Sequence, residues 1–206
     1  MSPGATIGQT LLVSAVLLYL LPVPRFSAIL RSATLVVCVG ISFFRIGGLS
    51  LIAYPSGLLG DLSITTQVLL ACSIASRLTG VDVLPDRDRS FLLTTAAVSG
   101  LLLYPLSSGL TGLDLYSWGF GSGVLMIGLA LATFVSWCFR PVAAVMLLLG
   151  VVAFDLNLLA STNIWDYLLD PALVLFAWGW GLVLLMRRFR APSSSLAPGT
   201  AEASQP

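Results

Sequence analysis

The chain has 206 residues, of which 57% are hydrophobic and only 9% are charged, and its formal net charge is +1. About one quarter of the residues in a typical soluble domain are charged, so this composition excludes an ordinary soluble globular domain. Its apolar stretches are long enough to cross a bilayer core of roughly 30 Å. We therefore predict an all-α fold, a bundle of helices that crosses the membrane several times.

Two residue types that carry much of enzyme chemistry are missing, since the sequence contains neither histidine nor lysine. Their absence removes the imidazole base, the Schiff-base lysine, the P-loop lysine and the commonest metal ligand. No other motif specifies a reaction, so no residue is assigned a catalytic role. We expect no cofactor, no bound metal and no nucleic-acid partner.

Seven apolar runs follow one another along the chain, and each is predicted to form one transmembrane helix. They cover residues 6–24, 27–44, 63–76, 91–103, 119–139, 141 onward and 171–186. Pro141 suits the first position of a helix and follows the fifth run after Arg140 alone, which predicts an antiparallel helical hairpin. Residues 1–190 are expected to form one domain, and residues 191–206 a disordered cytoplasmic tail.

The arginines predict how these helices are oriented. With seven spans, nine of the ten basic residues fall in connectors on one side of the membrane, and Arg45 alone falls on the other. The positive-inside rule makes the nine-arginine side cytoplasmic. We therefore expect a multi-pass protein of a bacterial cytoplasmic membrane, with its N-terminus outside and its C-terminus inside.

The predicted outer side collects polar and amphipathic residues. Five aromatic residues are expected at the membrane interface: Tyr104, Tyr116, Trp118, Trp165 and Tyr167. Six residues are predicted to form an intramembrane polar site or a ligand-binding site: Arg45, Asp61, Asp114, Asp155, Asn157 and Asp166. Asp170, which directly precedes Pro171, is predicted to cap the last helix.

Asp155 stands out in this set because a helix from Pro141 places it about 20 Å along the axis, within the outer leaflet. An ionised carboxylate at that depth is costly unless it is paired or faces a polar cavity. Since Arg45 is the only basic residue on that side, we predict that it pairs with Asp155 or Asp61. Such a pair would either lock the helices together or form a substrate or proton site.

Residues 163–169 leave two structures open. The segment either extends the last helix through a kink at Pro171 or lies flat at the interface. In both cases Asp166 and Asp170 are expected to share a helix face and to repel each other. Arg45, a metal ion or a positively charged ligand would relieve that repulsion.

Three classes of function are compatible with the sequence. The first, which we favour, is a non-catalytic accessory or scaffold subunit that works with envelope glycan or lipid biogenesis machinery through its outer face. The second is a small-solute or proton-coupled transporter or binding subunit that uses Asp155 and Arg45. The third is a lipid- or glycan-modifying enzyme with an aspartate base. The expected partners are the bilayer and either a membrane protein or further copies of the chain.

Overall fold

The computed structural model describes residues 1–109 and 112–190, with only the backbone of Arg190. Helices make up most of this part of the chain: α1 (Pro3–Leu20), α2 (Ala28–Ser42), α3 (Ala53–Leu59), α4 (Ile64–Thr79), α5 (Asp86–Ser107), α6 (Gly123–Phe139), α7 (Pro141–Asp155), α8 (Ile164–Leu168) and α9 (Pro171–Arg190). Strands β1 (Arg45–Ile46) and β2 (Leu49–Ser50) form an antiparallel hairpin between α2 and α3. The predicted tail, 191–206, lies outside the described residues.

Four of the helices begin with a serine at the N-cap position. Ser2, Ser27, Ser63 and Ser122 each accept, through Oγ, the backbone N–H three residues further on. These bonds satisfy donors that the first turn of a helix leaves without an internal partner. Pro141 begins α7 directly after Arg140, as the sequence predicts, and α6 and α7 pack against each other as a hairpin.

Helices α1 and α4 run in the same direction. Near their N-terminal ends, Gly8 of α1 lies against the side chain of Gln67 of α4. Near their C-terminal ends, Nε of Arg77 donates to the carbonyl of Leu18 at 2.7 Å. Both helices therefore begin at one end of the molecule and finish at the other.

Helices α5 and α9 run in opposite directions. A Cβ on Gly100 would lie 2.5 Å from Cγ1 of Val174, and Nε1 of Trp178 donates to the carbonyl of Ala97 at 3.0 Å. Residues later in α9 thus contact residues earlier in α5. The start of α9 therefore lies beside the end of α5.

Three helices are long and apolar enough to cross a membrane: Pro3–Leu20, Asp86–Ser107 and, within α9, Pro171–Phe189. Helices α2, α6 and α7 are also apolar but shorter. The all-α prediction is thus confirmed for the described residues, and these helices indicate association with a membrane.

Arginines hold the end of the molecule where α1 and α4 finish. The guanidinium of Arg31 donates to the carbonyls of Phe26, Leu78 and Pro24, each at 2.9 Å. Arg77 donates to the carbonyls of Leu18 and Leu21, and its guanidinium carbon lies 4.6 Å from the centroid of the Tyr19 ring. The described residues contain two ion pairs, both at this end: Arg89–Asp86 at 3.2 Å and Arg140–Asp88 at 3.5 Å.

Candidate functional site

The opposite end of the molecule holds most of the candidate site residues. Four segments meet there, residues 1–9, 60–67, 113–122 and 156–170, and we call them together the polar cap. They are far apart in the sequence, and hydrogen bonds between side chains and backbone join them. Neither ion pair of the described chain lies in the polar cap.

Asp170 joins the starts of α4 and α9. Its Oδ1 accepts the N–H of Leu173 at 2.8 Å, so Asp170 caps α9. Its Oδ2 accepts the N–H of Ser63 at 2.9 Å and the hydroxyl of Thr66. The side chain is only 2% exposed. Two helix N-termini thus supply neutral donors and favourable dipoles to one buried carboxylate.

Asp61 joins the N-terminal residues to the segment that follows α7. Its Oδ2 accepts the backbone N–H of Ala160 at 3.0 Å and the hydroxyl of Ser2 at 3.4 Å. Close by, the N–H of Gly4 donates to the carbonyl of Leu158 at 2.9 Å. The first residues of the chain are therefore bound to a segment that is more than 150 positions away.

Asp166 binds the connector between α5 and α6. Its Oδ2 accepts the phenol of Tyr116 at 2.8 Å and the hydroxyl of Ser161 at 2.5 Å. Burial, followed by the hydrogen bond to Asp166, raises the pKa of Tyr116 to about 12. The phenol therefore stays protonated and acts as a donor across the physiological pH range.

Asn163, which is fully buried, holds the same connector from another direction. Its Nδ2 donates to the carbonyl of Tyr116 at 2.9 Å, and its Oδ1 accepts the N–H of Trp165 at 2.9 Å. Nε1 of Trp165 donates to the carbonyl of Leu115, also at 2.9 Å. A Cβ on Gly119 would lie 1.8 Å from Oδ1 of Asn163, so this close approach requires glycine.

Tyr167 is fully buried within the protein. Its hydroxyl accepts the N–H of Leu159 at 3.1 Å and lies 3.1 Å from the carbonyl of Ser161. Its ring meets that of Phe154 edge to face, with centroids 5.3 Å apart. The segment after α7 has no regular secondary structure, and the Tyr167 hydroxyl supplies hydrogen-bond partners for its backbone N–H and C=O groups.

The structure corrects the prediction for Asp155, which is exposed at the last residue of α7 and not buried within the bundle. The physical reason is the way in which α7 ends. Asn157 has a φ of 51°, and the N–H of Leu158 reaches back to the carbonyl of Ala153 at 3.0 Å. This is a Schellman motif with asparagine at its left-handed position. Asn157 thus ends the helix, and its Nδ2 donates to the Asp155 carbonyl at 3.3 Å.

The predicted pairing of Arg45 with Asp155 or Asp61 is also wrong. Arg45 is exposed in β1 and takes part in neither ion pair of the described chain. The two-residue strands place it in a hairpin outside the helices, with its side chain exposed. The acids of the polar cap receive neutral N–H and O–H donors instead.

Asp166 and Asp170 do not share a helix face. Helix α8 ends at Leu168, and Leu169 is extended, with φ −143° and ψ 136°. The segment is therefore a separate short helix, neither a continuation of α9 nor one face with it. Each carboxylate has its own N–H or O–H donors, so no cation is needed between Asp166 and Asp170.

The remaining candidate residues surround the connector between α5 and α6. Asp114 is exposed, and its Oδ1 accepts the N–H groups of Tyr116 and Ser117 at 3.1 and 3.2 Å. Trp118 is 45% exposed. Tyr104, near the end of α5, is half-buried and packs against the core cluster of α5 and α9.

Several residues that hold the polar cap together are absent from the predicted site. Thr66 and Asn163 are buried and form hydrogen bonds within the polar cap. Gln9 and Gln67 are buried in the first halves of α1 and α4. Nε2 of Gln9 donates to the carbonyl of Gly60 at 2.7 Å, and Nε2 of Gln67 to that of Leu62 at 2.9 Å. The available signal was an amide within an apolar run, since buried amides need partners.

The chemistry open to the polar cap is that of a set of hydrogen-bond acceptors. Structural hydrogen bonds engage one carboxylate oxygen of Asp61 and of Asp166, and both oxygens of Asp170. Among the described residues, no group of three His, Cys, Asp or Glu side chains could hold a metal ion. The arrangement orders the backbone and leaves an exposed rim around Trp118. No protein-family model, no curated protein and no solved structure matches the chain.

Proposed function

We propose that the protein is a non-catalytic accessory or scaffold subunit of a bacterial cytoplasmic membrane. In this role it would work with machinery that builds envelope glycans or lipids, through an outward-facing polar cap. One observation carries the proposal: the carboxylates of Asp61, Asp166 and Asp170 bind the chain's own N–H and O–H groups. Carboxylates used in this way give the cap a fixed shape, which suits docking better than proton transfer.

The proposed topology has seven spans, with the N-terminus outside. It is supported by the alternation of helix direction between the polar cap and the end that Arg31 and Arg77 hold. Helices α1, α2, α4, α5, α6, α7 and α9 lie where the sequence predicts the seven spans. The arginine-rich end would then be cytoplasmic.

The proposed docking surface is the rim of the cap around Trp118 and Phe120, which are 45% and 59% exposed. The ring of Phe120 meets that of Tyr116 edge to face, with centroids 5.7 Å apart. The bonds from Asp114 and Asp166 hold the backbone and side chain of Tyr116. Aromatic residues on an ordered backbone are typical anchors of protein interfaces, because little conformational entropy is lost when they bind.

The transport and enzyme alternatives receive less support. The transport alternative depends on Arg45 and Asp155, and both side chains are exposed. Neither lines the two cavities described between the helices. An aspartate base would require a carboxylate that is both sheltered and free of structural hydrogen bonds, whereas Asp166 and Asp170 are engaged by the cap.

The docking proposal is tested by native mass spectrometry of the tagged, full-length protein, released from its own membranes in mild detergent. The expected result is a complex with a membrane protein of different mass. Trp118→Ala combined with Phe120→Ala should lower the bound fraction several-fold. Phe134→Ala, on an exposed face of α6, is the matched control and should retain the partner. Homo-oligomers alone would contradict an accessory role, and equal retention in all variants would contradict the docking surface around Trp118.

The topology is tested by thiol labelling of spheroplasts. In a chain whose Cys38, Cys72 and Cys138 are replaced by serine, Thr162→Cys in the polar cap should react with an impermeant maleimide. Asp82→Cys, at the arginine-rich end, should react only after the membrane is permeabilised. The reverse pattern would show that the orientation is inverted.

A further inference from the structure

A cavity of about 640 Å³ separates two pairs of helices, α1 with α4 on one side and α5 with α9 on the other. The helices of each pair pack closely against each other. The volume lies within the range of pockets that enclose small molecules, roughly 300–1,000 Å³. The space is therefore large enough to hold part of a small molecule or of a lipid.

The cavity extends from the polar cap towards the arginine-rich end. Leu62 and Thr66 line it near the cap, and Tyr19, Ser73 and Arg89 line it near the other end. Along α4, the rise from Thr66 to Ser73 is about 10 Å. The space is therefore elongated along the helix axes, as a hydrocarbon chain in a bilayer is.

Hydrocarbon makes up most of the wall, and the few polar side chains are largely engaged. The hydroxyl of Thr66 is bound to Asp170, and that of Ser73 lies 2.9 Å from the hydroxyl of Tyr19. Water gains too few partners in such a space to fill it stably. A hydrocarbon chain is therefore the type of ligand that best matches these lining residues.

Arg89 is the exception among the lining residues, because it retains hydrogen-bonding capacity. Its guanidinium donates to Asp86 at 3.2 Å and to the carbonyl of Leu84 at 3.5 Å. These bonds use two of the five N–H donors of an arginine. The ion pair with Asp86 is weak because its side chains are 40% and 89% exposed. Arg89 can therefore present a planar pair of donors to a phosphate.

We propose that this cavity is a binding site for one anionic phospholipid, with an acyl chain in the cavity and the phosphate at Arg89. The positive charge lies at the same end as Arg77, which stacks on the lining residue Tyr19. A lipid of the inner leaflet has its phosphate at that level if the arginine-rich end is cytoplasmic. The proposal is independent of any docking partner at the polar cap.

The site is tested on the full-length, delipidated protein in detergent by native mass spectrometry, with phosphatidylglycerol as the probe. Diacylglycerol with the same acyl chains is the second probe and lacks the phosphate. The wild type should bind one phosphatidylglycerol, roughly tenfold more tightly than diacylglycerol. Arg89→Ala should remove that preference, while Arg87→Ala, an exposed neighbour that does not line the cavity, should keep it.

A second pair of variants tests the cavity itself. Val16 lines the cavity and is 52% exposed, so Val16→Trp fills the space without disturbing a packed core. It should lower the binding of both probes several-fold. Val36→Trp, at a 71% exposed position of α2, should change neither. Unaltered binding in Val16→Trp, or equal losses in Arg87→Ala and Arg89→Ala, would overturn the proposal in favour of lipid bound at the general surface.

Discussion

The carboxylate of Asp170 lies 2.9 Å from the backbone nitrogen of Ser63, although the two residues are 107 positions apart. One buried side chain therefore completes the first turns of both α4 and α9. The hydroxyl of Thr66 and the N–H of Leu173 use the same carboxylate, so its removal takes the acceptor from the N–H groups of both Ser63 and Leu173. The residue that caps α9 therefore also holds α4 and α9 together.

Asp170→Ala is expected to lower the free energy of unfolding by about 3 kcal/mol, because buried donors lose their acceptor. Unfolding with sodium dodecyl sulfate in mixed micelles, followed by circular dichroism, measures the change. Asp114→Ala removes a carboxylate that also accepts backbone N–H groups but is exposed, and it should cost less than about 1 kcal/mol. Equal losses in the two variants would show that burial and the second helix contribute nothing.

Tyr116→Phe is expected to destabilise the protein in a pH-dependent way. The folded-state pKa is about 12, above the ordinary value of 10.0, so the folded protein holds this proton more tightly than the unfolded chain. The stabilisation is fully present below pH 10 and is lost as the pH rises towards 12. The difference in Tm between wild type and variant should be constant up to about pH 10 and then shrink. A difference that stays constant to pH 12 would contradict the raised pKa of Tyr116.

Gly100→Ala is expected to destabilise the α5–α9 contact by about 1–3 kcal/mol, because the new Cβ would overlap the branched side chain of Val174. In Gly128→Ala, on α6, the Cβ meets nothing within 4 Å. That control should be neutral or stabilising by up to about 1 kcal/mol. Combining Gly100→Ala with Val174→Ala should recover part of the loss, and thermal unfolding in detergent compares all three.

Arg77→Lys is expected to lower the free energy of unfolding by about 1–2 kcal/mol while leaving the membrane orientation unchanged. A lysine keeps the positive charge but lacks the planar fork that reaches the carbonyls of both Leu18 and Leu21. Arg87→Lys, at an exposed position with no described hydrogen bond, should change stability by less than about 0.5 kcal/mol. Unfolding measurements and thiol labelling on the same variants separate charge from geometry.

The sequence predicts the helices well because their signals are local. Pro141 begins α7 at the residue that its helix-starting preference indicates, and Ser63 precedes α4 as a serine cap should. The capping position of Asp170 followed in the same way from Pro171. Such signals depend on neighbours within one turn of the chain, and no distant residue has to be known.

The polar cap could not be predicted in this way. The burial of Asp155 was predicted from its distance along α7, but a left-handed asparagine at position 157 ends that helix and leaves the carboxylate exposed. The partners of Asp61 and Asp166 lie 99 and 50 positions away. Charge complementarity suggested Arg45 for such acids, whereas neutral N–H and O–H groups serve them. Hydrogen bonds between residues so far apart in the sequence depend on how the helices pack. Neither composition nor a local pattern predicts that packing.

The distance along the chain between Ser63 and Asp170 has a consequence for biosynthesis. Ribosomes add about 5–20 residues per second, so α4 exists for roughly 5 to 20 seconds before its second capping residue has been made. During that interval the N–H of Ser63 must rely on water or lipid head groups. The polar cap therefore closes only after Asp170 has been made. A chain that stops before Asp170 leaves the N–H of Ser63 without this acceptor.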